Sequence, residues 1–101
     1  MTRYVTNALD HHDLWPDNVV KWRSRRGILE LDYILMPFFT RYYRSVSDNG
    51  RLTHQWLLLQ TDTDLQTWLV RRQSIAMLTR DQQAWIYYVL ACTRTIHTSI
   101  V

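Results

Sequence analysis

The chain of 101 residues fits a single domain, because domains mostly contain about 100–150 residues. Its two glycines and two prolines are too few for a β-sandwich or barrel, whose many turns favour those residues, and too few for a glycine-rich nucleotide loop. Its single cysteine excludes an internal disulfide framework and a cysteine-rich zinc module. Its formal charge of +3 comes mainly from residues 21–44, which contain six of the twelve basic residues and two acidic ones.

The N-terminal residues 1–17 are predicted to form a lead segment before a helical domain of residues 18–96, which a short tail of residues 97–101 follows. The first twenty residues carry three aspartates against one arginine and no apolar run, so they are typical neither of a signal peptide nor of a transit peptide. No apolar stretch approaches the roughly 18–20 residues that a membrane span requires. We therefore expect a cytoplasmic protein.

Two helices are predicted for the first half of the domain. Asp17 is a candidate N-cap for a helix from Asn18 to Arg26, and Gly27 is expected to end it in the left-handed conformation. A longer helix should follow over residues 28–44, where Pro37 is expected to bend it by removing one backbone hydrogen bond. Apolar residues recur along one face of this second helix, at Ile28, Leu31, Leu35, Phe38 and Tyr42.

Three further helices are predicted after these. A turn or N-cap cluster at Ser47 precedes a third helix, whose expected buried stripe consists of Leu52, Trp56 and Leu59. Asp62 is a candidate cap for a fourth, short helix that ends near Arg71-Arg72. Thr79 and Gln82 match a capping box that opens the fifth helix. The apolar stripe expected for the fifth helix is Trp85, Tyr88, Val89, Cys92 and Ile96. The sequence thus predicts an all-α fold, a compact single-domain bundle of about five short helices.

The stretch from Arg25 to Asp32 admits two interpretations that can hold together. In the structural one, Gly27 joins two helices and Glu30 bonds back to the backbone N–H at Gly27 as half of a capping box. In the functional one, the glycine lets another backbone approach closely, and an exposed guanidinium and carboxylate beside it bind a partner through charge-assisted hydrogen bonds. Capping would then hold the corner rigid while its exposed groups bind.

The same stretch, RRGILELDYILMPFF, resembles the RGxxE signature of the small succinate dehydrogenase assembly factors, the flavinylation factors that bacteria share with mitochondria. In those proteins the block usually reads Arg-Arg-Gly-Met-x-Glu-Leu-Asp before an apolar helix, and Met-Pro-Phe-Phe occurs in some bacterial members. The resemblance continues at Trp22, at the Ser47-Asp48 turn and at Asp62-x-Asp64-Leu65-x-x-Trp68-Leu69. It therefore covers roughly residues 20–95.

The resemblance implies a five-helix protein that is not an enzyme. It would bind the flavoprotein subunit of succinate dehydrogenase, and in some members that of fumarate reductase, and promote covalent attachment of FAD to a histidine of that subunit. It implies a partner-binding role for Arg26, Gly27 and Glu30, with Arg25 and Asp32 as neighbours in the same surface. In this chain we expect no catalytic residue, no metal ligand and no tightly bound cofactor, and a monomeric state.

Two alternative functions also fit the sequence. The basic block and the aromatic residues among it are compatible with a small helical protein that binds nucleic acid, although no recognition-helix pattern follows the block. The resemblance adds a second alternative, since relatives have carried an antitoxin label, and this would also be a module that binds another protein. The scattered histidines predict no metal site (His11, His12, His54 and His97), and Cys92 is expected to be a buried structural thiol. The five tryptophans are expected in the core, except Trp15, which either docks across the bundle or stays exposed.

Overall fold

Helices make up all the regular structure in the part of the chain that the computed structural model describes, residues 14–100, with side chains described up to residue 94. The helices are α1 (Asp17–Ser24), α2 (Leu29–Tyr42), α3 (Asp48–Leu58), α4 (Asp62–Leu65) and α5 (Arg80–Ile100). Single turns of tighter or wider helix lie at Tyr43–Ser45, Gln66–Val70 and Ile75–Met77. The predicted all-α architecture of five helices is therefore confirmed. The predicted lead segment lies largely outside the described residues, and His11 and His12, where no metal site is predicted, lie wholly outside them.

The caps predicted for α3 and α5 are confirmed. The Ser47 hydroxyl accepts the Gly50 N–H at 3.2 Å at the start of α3. At the start of α5, the Thr79 hydroxyl accepts the Gln82 N–H at 3.2 Å, and the Gln82 side chain accepts the Thr79 N–H at 3.1 Å. Because these bonds join residues three apart, short-range sequence patterns are sufficient to predict them.

Other helix boundaries differ slightly from the prediction. α1 begins at Asp17 itself, directly after Pro16, and α4 is capped by Thr61, whose hydroxyl accepts the Asp64 N–H at 3.1 Å. Asp62, the expected cap, is the first residue of α4 and has a different partner, described below. The last helix continues to Ile100, beyond residue 96, where the sequence placed the end of the helical domain.

The centre of the core is the predicted stripe of α2. Leu31, Leu35 and Phe38 are fully buried, and Ile28 and Tyr42 pack against the same core while partly exposed. The buried residues that surround them from the other helices and turns are Val20, Tyr43, Leu57, Leu58, Leu65, Trp68, Leu69, Ile75, Ile86, Val89 and Leu90. Pro37 lies inside α2 as expected.

The buried faces of α3 and α5 differ from the stripes predicted for them. In α3, Leu57 and Leu58 are buried, whereas Leu59 is 60% exposed. In α5, the buried positions are Ile86, Val89, Leu90 and Thr93, while Tyr88 is 42% exposed and Cys92 is half-buried. Both helices contain two overlapping apolar stripes at helical spacing, and packing selects one of them: α5 packs against α2, and α3 packs against α5 and α1.

Four of the five tryptophans lie in or against the core. Trp68 is buried and stacks on Trp56 with ring centroids 5.5 Å apart, and Trp85 packs partly buried on Phe38. Trp15 docks on the bundle, since its backbone N–H donates to the Gln55 side chain at 2.6 Å and its ring packs against the core. The core placement expected for the remaining one, Trp22, is wrong, because this side chain is 75% exposed.

His54 lies within this core, enclosed by aromatic rings. Its ring centroid is 4.9 Å from that of Phe38 and 5.6 Å from that of Tyr43, and its Nδ1 accepts the Trp85 indole N–H at 3.0 Å. Burial disfavours the imidazolium form and lowers the pKa of His54 to about 3. His54 is therefore a neutral structural histidine.

Acidification should consequently destabilise the fold through His54. The unfolded chain takes up a proton near the ordinary pKa of 6.5, whereas the folded chain does so only near 3, so the free energy of unfolding falls as pH falls between these values. The expected slope from this group is about 1.4 kcal/mol per pH unit. Urea unfolding between about pH 4.5 and 7 measures the free energy of unfolding as a function of pH. In His54→Phe this free energy should depend less steeply on pH, by the contribution of about one bound proton. Parallel pH profiles for the two proteins would contradict a neutral buried histidine.

Candidate functional site

The corner between α1 and α2 contains the residues that the signature marks. α1 ends at Ser24, and Gly27 lies further along with a φ of +82°, a conformation that glycine adopts without steric cost. Gly27 is therefore not the residue that ends α1, as predicted, but the residue that turns the chain into α2. A Cβ atom added to Gly27 would have no neighbour within 4 Å, so the space above the corner is open to an approaching partner.

Arg26 points into the protein at this corner. Its Nε donates to Asp62 Oδ1 at 2.8 Å, its Nη1 to the Leu58 carbonyl at 2.8 Å and its Nη2 to the Gln60 carbonyl at 2.8 Å. Nη1 also lies 3.3 Å from the Arg23 carbonyl oxygen. The side chain is only 15% exposed. The expectation of an exposed guanidinium at Arg26 is therefore wrong.

These acceptors explain why an arginine occupies this position. The last carbonyls of a helix have no partner within the helix, and Leu58 and Arg23 lie at the C-terminal ends of α3 and α1. A cation also interacts favourably with the negative end of a helix dipole. The planar fork of arginine can serve several acceptors at once, which a lysine ammonium cannot do with the same geometry. Arg26 thus fastens the α1–α2 corner to the α3–α4 connection.

Asp32 fixes the same corner from the α2 side. Its Oδ1 accepts the backbone N–H of Arg26 at 2.7 Å, and the side chain is half-buried. Glu30, expected to bond back to Gly27, is instead exposed and has no hydrogen bond among the described residues. The half capping box predicted at Glu30 is therefore wrong, and Asp32 stabilises the corner in its place. Among the signature residues, Arg25, Gly27 and Glu30 face outward.

A groove of about 680 Å³ lies on the α1 side of the corner, and we call it the basic groove. Its lining residues are Asn18, Lys21, Trp22, Arg23, Arg25, Arg26, Met36 and Asp62. Lys21 and Arg25 are exposed, and the exposed indole of Trp22 lies beside them. The groove therefore combines positive charge with one large aromatic surface.

A second groove, of about 410 Å³, lies on the α2 side and is called the apolar groove. It is lined by Leu29, Glu30, Tyr33, Ile34, Leu69, Val70, Arg72, Leu90, Thr93 and Arg94. Leu29 is 62% exposed and Tyr33 is 54% exposed. Arg25 lines the basic groove and Glu30 lines the apolar groove, so residues of the corner contribute to both.

The chemistry available at this site is that of a binding surface. Charge-assisted hydrogen bonds from Glu30 and Arg25, an accessible backbone at Gly27 and exposed aromatic surface at Trp22 are the groups that anchor protein interfaces. Within the described residues there is no cluster of three or more histidine, cysteine, aspartate or glutamate side chains that could hold a metal ion. No described helix is long and apolar enough to cross a membrane.

Two residues of the site escaped the sequence-based prediction. Asp62 was expected as a helix cap and as part of the resemblance, but nothing in the local pattern connects it with Arg26, from which it is 36 positions distant. Trp22 was placed in the core, yet a signal against that placement exists. Val20 and Ser24 are four residues apart, one apolar and one small, and together they form the buried face of α1. Trp22 is midway between them in the sequence, which places it on the opposite side of the helix.

Comparison with known proteins identifies relatives. Residues 18–91 match a family described as the flavinator of succinate dehydrogenase. Three bacterial relatives are each named "FAD assembly factor SdhE". The one from Mannheimia succiniciproducens is 40% identical over 53 residues, which are 52% of this chain and 62% of that protein. The one from Photobacterium profundum is 43% identical over 51 residues, which are 50% and 58% of the two chains.

The third relative, from Haemophilus ducreyi, is 34% identical over 53 residues, 52% of this chain and 65% of that protein. The matched segment thus spans less than two thirds of the length of each of these relatives. No solved structure matches the chain.

Proposed function

Since the chain belongs to the family described as the flavinator of succinate dehydrogenase, we propose that it is an assembly factor that binds the flavoprotein subunit of succinate dehydrogenase and promotes covalent attachment of FAD to it. The flavoprotein of fumarate reductase is the second client of the same kind in this proposal. The observation that carries the proposal is the α1–α2 corner. There the Arg26 hydrogen bonds hold the backbone in place while Gly27 and Glu30 stay exposed.

Within this proposal the residues of the signature have different tasks. Glu30, Gly27 and Arg25 contact the flavoprotein directly, since all three are exposed at the corner. Arg26 and Asp32 position them, since both are engaged in hydrogen bonds within the chain. A rigid corner loses little conformational entropy on binding, which favours affinity.

The factor acts without catalytic groups of its own. Binding selects a conformation of the flavoprotein in which its histidine and the flavin are aligned, which raises the rate of ligation by positioning and population shift. FAD is held by the flavoprotein and not tightly by this chain. The proposal also includes a monomeric state and a location in the cytoplasm, and both of these properties stay predictions.

Deleting the gene for this chain from its native host tests the proposal. Covalent flavin survives denaturing electrophoresis, so in-gel flavin fluorescence measures the flavinylated subunit directly. We expect the fluorescent band of the flavoprotein to be lost or strongly weakened and to return when the chain is expressed again, and tagged chain should capture the same subunit. An unchanged band in the deletion strain, with no flavoprotein captured, would refute the proposal.

A further inference from the structure

Trp22 lies on the exposed face of α1, away from the described core. The side chain is 75% exposed, whereas Val20 and Ser24 on the other face of α1 are fully buried. An apolar surface of this size in water is unfavourable unless something covers it, at about 25 cal/mol per Å². Tryptophan is also among the residues that most often dominate the energy of protein interfaces.

Positive charge surrounds this indole. Of the residues that line the basic groove, four are basic (Lys21, Arg23, Arg25 and Arg26) and one is acidic, Asp62. The Asp62 carboxylate is already paired with Arg26 at 2.8 Å. Lys21 and Arg25 are exposed to solvent, so their charge is available to an incoming group. The potential in the groove is therefore positive and selects a negatively charged occupant.

We propose that the basic groove binds an acidic segment of the flavoprotein, with carboxylates of that segment paired to Lys21 and Arg25 and one of its apolar or aromatic side chains packed on Trp22. This inference rests on the proposed function and identifies which part of the partner occupies the groove. Arg25 lines the groove and is separated from Gly27 by a single residue, so a partner seated on the corner extends into the groove without a gap.

The dimensions and charge pattern favour a peptide over a nucleic acid. A volume of about 680 Å³ accommodates a few side chains. Proteins that bind nucleic-acid strands present a basic surface that follows the backbone over several nucleotides. Here the exposed cations of the groove are two, Lys21 and Arg25, and an aspartate forms part of its lining.

The groove should serve affinity and not the ligation chemistry. Exposed charges at the edge of an interface mainly raise the association rate and exclude partners of the wrong charge. Variants of the groove should therefore raise the concentration of factor that gives half-maximal flavinylation, while the rate at saturating factor stays close to that of the wild type. A residue that aligned the flavin would instead lower the saturating rate.

The test measures binding of the purified chain to the purified flavoprotein subunit. We expect Lys21→Glu/Arg25→Glu to raise Kd by at least tenfold at low salt, with a smaller effect at 0.5 M salt, where charges are screened within about 4 Å. Trp22→Ala should raise Kd about tenfold at either salt concentration. The matched controls are Arg41→Glu/Arg80→Glu, with the same change in charge on exposed residues outside the groove, and Met77→Ala, which truncates a side chain that is 86% exposed.

The outcomes separate this inference from the proposed function. If the groove variants bind the flavoprotein as tightly as their controls while Glu30→Ala does not, the groove inference is wrong. Arg25 then loses its proposed contact, and the proposed function stands on Glu30 and Gly27. If the wild-type chain neither binds the flavoprotein nor restores its covalent flavin, both fail. If the groove variants keep flavoprotein binding but lose affinity for a DNA duplex that the wild type binds, the groove belongs to a nucleic-acid site and the inference is overturned.

Discussion

Replacing Arg26 with alanine should lower the free energy of unfolding by about 3 kcal/mol. The substitution removes the donors for the carbonyls of Leu58 and Gln60 and leaves the Asp62 carboxylate without its cation. Asp62 is 43% exposed, so water compensates part of its loss, and the larger share of the cost comes from the two carbonyls. The affected contacts join α1, α3 and α4, so the loss should appear in global unfolding.

Arg25 provides the matched control for this prediction, because it is the adjacent arginine and is exposed. Arg25→Ala should change stability by less than about 0.5 kcal/mol. Arg26→Lys keeps the charge but cannot reproduce the planar fork of the guanidinium. Its stability should therefore lie between those of Arg26→Ala and Arg25→Ala. Chemical denaturation followed by tryptophan fluorescence or circular dichroism measures all three. Equal stabilities for Arg26→Ala and Arg25→Ala would show that the internal hydrogen bonds of Arg26 do not stabilise the fold.

Replacing Glu30 with alanine should reduce covalent flavin on the flavoprotein by about tenfold or more when the factor is limiting. Glu30 is exposed and has no hydrogen bond among the described residues, so its carboxylate is free to accept bonds from a partner. Loss of one charge-assisted hydrogen bond at an interface corresponds to about a tenfold change in affinity. In-gel flavin fluorescence in the deletion strain, complemented with the variant, measures the effect.

Asp81→Ala is the control for Glu30→Ala. Both residues are exposed acids in the first turn of a helix, Glu30 in α2 and Asp81 in α5, so the two substitutions cost similar helix stability. Both variants should retain the wild-type unfolding midpoint within about 3 °C. If Glu30→Ala sustains the same flavin fluorescence as Asp81→Ala, Glu30 does not contact the client.

Arg26→Ala is a good probe of stability and a poor probe of the partner surface, because the Arg26 side chain is engaged in hydrogen bonds within the chain. A loss of flavinylation in that variant would follow from a displaced corner as readily as from a lost contact. Glu30 and Arg25 are exposed, so substitutions there test the proposed contact with little expected effect on the fold. The signature therefore contains two kinds of residue, and only the structure distinguishes them.

The sequence by itself determined the features that depend on neighbours along the chain. Apolar spacing at Leu31, Leu35 and Phe38, the capping box at Thr79 and the scarcity of glycine were sufficient to predict helices, their approximate ends and the central face of the core. The stretch from Arg25 to Phe39 together with the pattern from Asp62 to Leu69 was sufficient to predict the family. These inferences succeed because a helix and its caps are formed by residues three or four positions apart.

Only the tertiary structure decided how the helices are oriented and which groups remain exposed. Whether Arg26 faces a partner or the interior depends on Leu58, Gln60 and Asp62, which lie 32 to 36 positions away in the sequence. The exposure of Trp22 likewise depends on which face of α1 meets the core. A guanidinium or an indole is compatible with either environment, and the contacts that select one arise only when distant helix ends meet in the folded bundle.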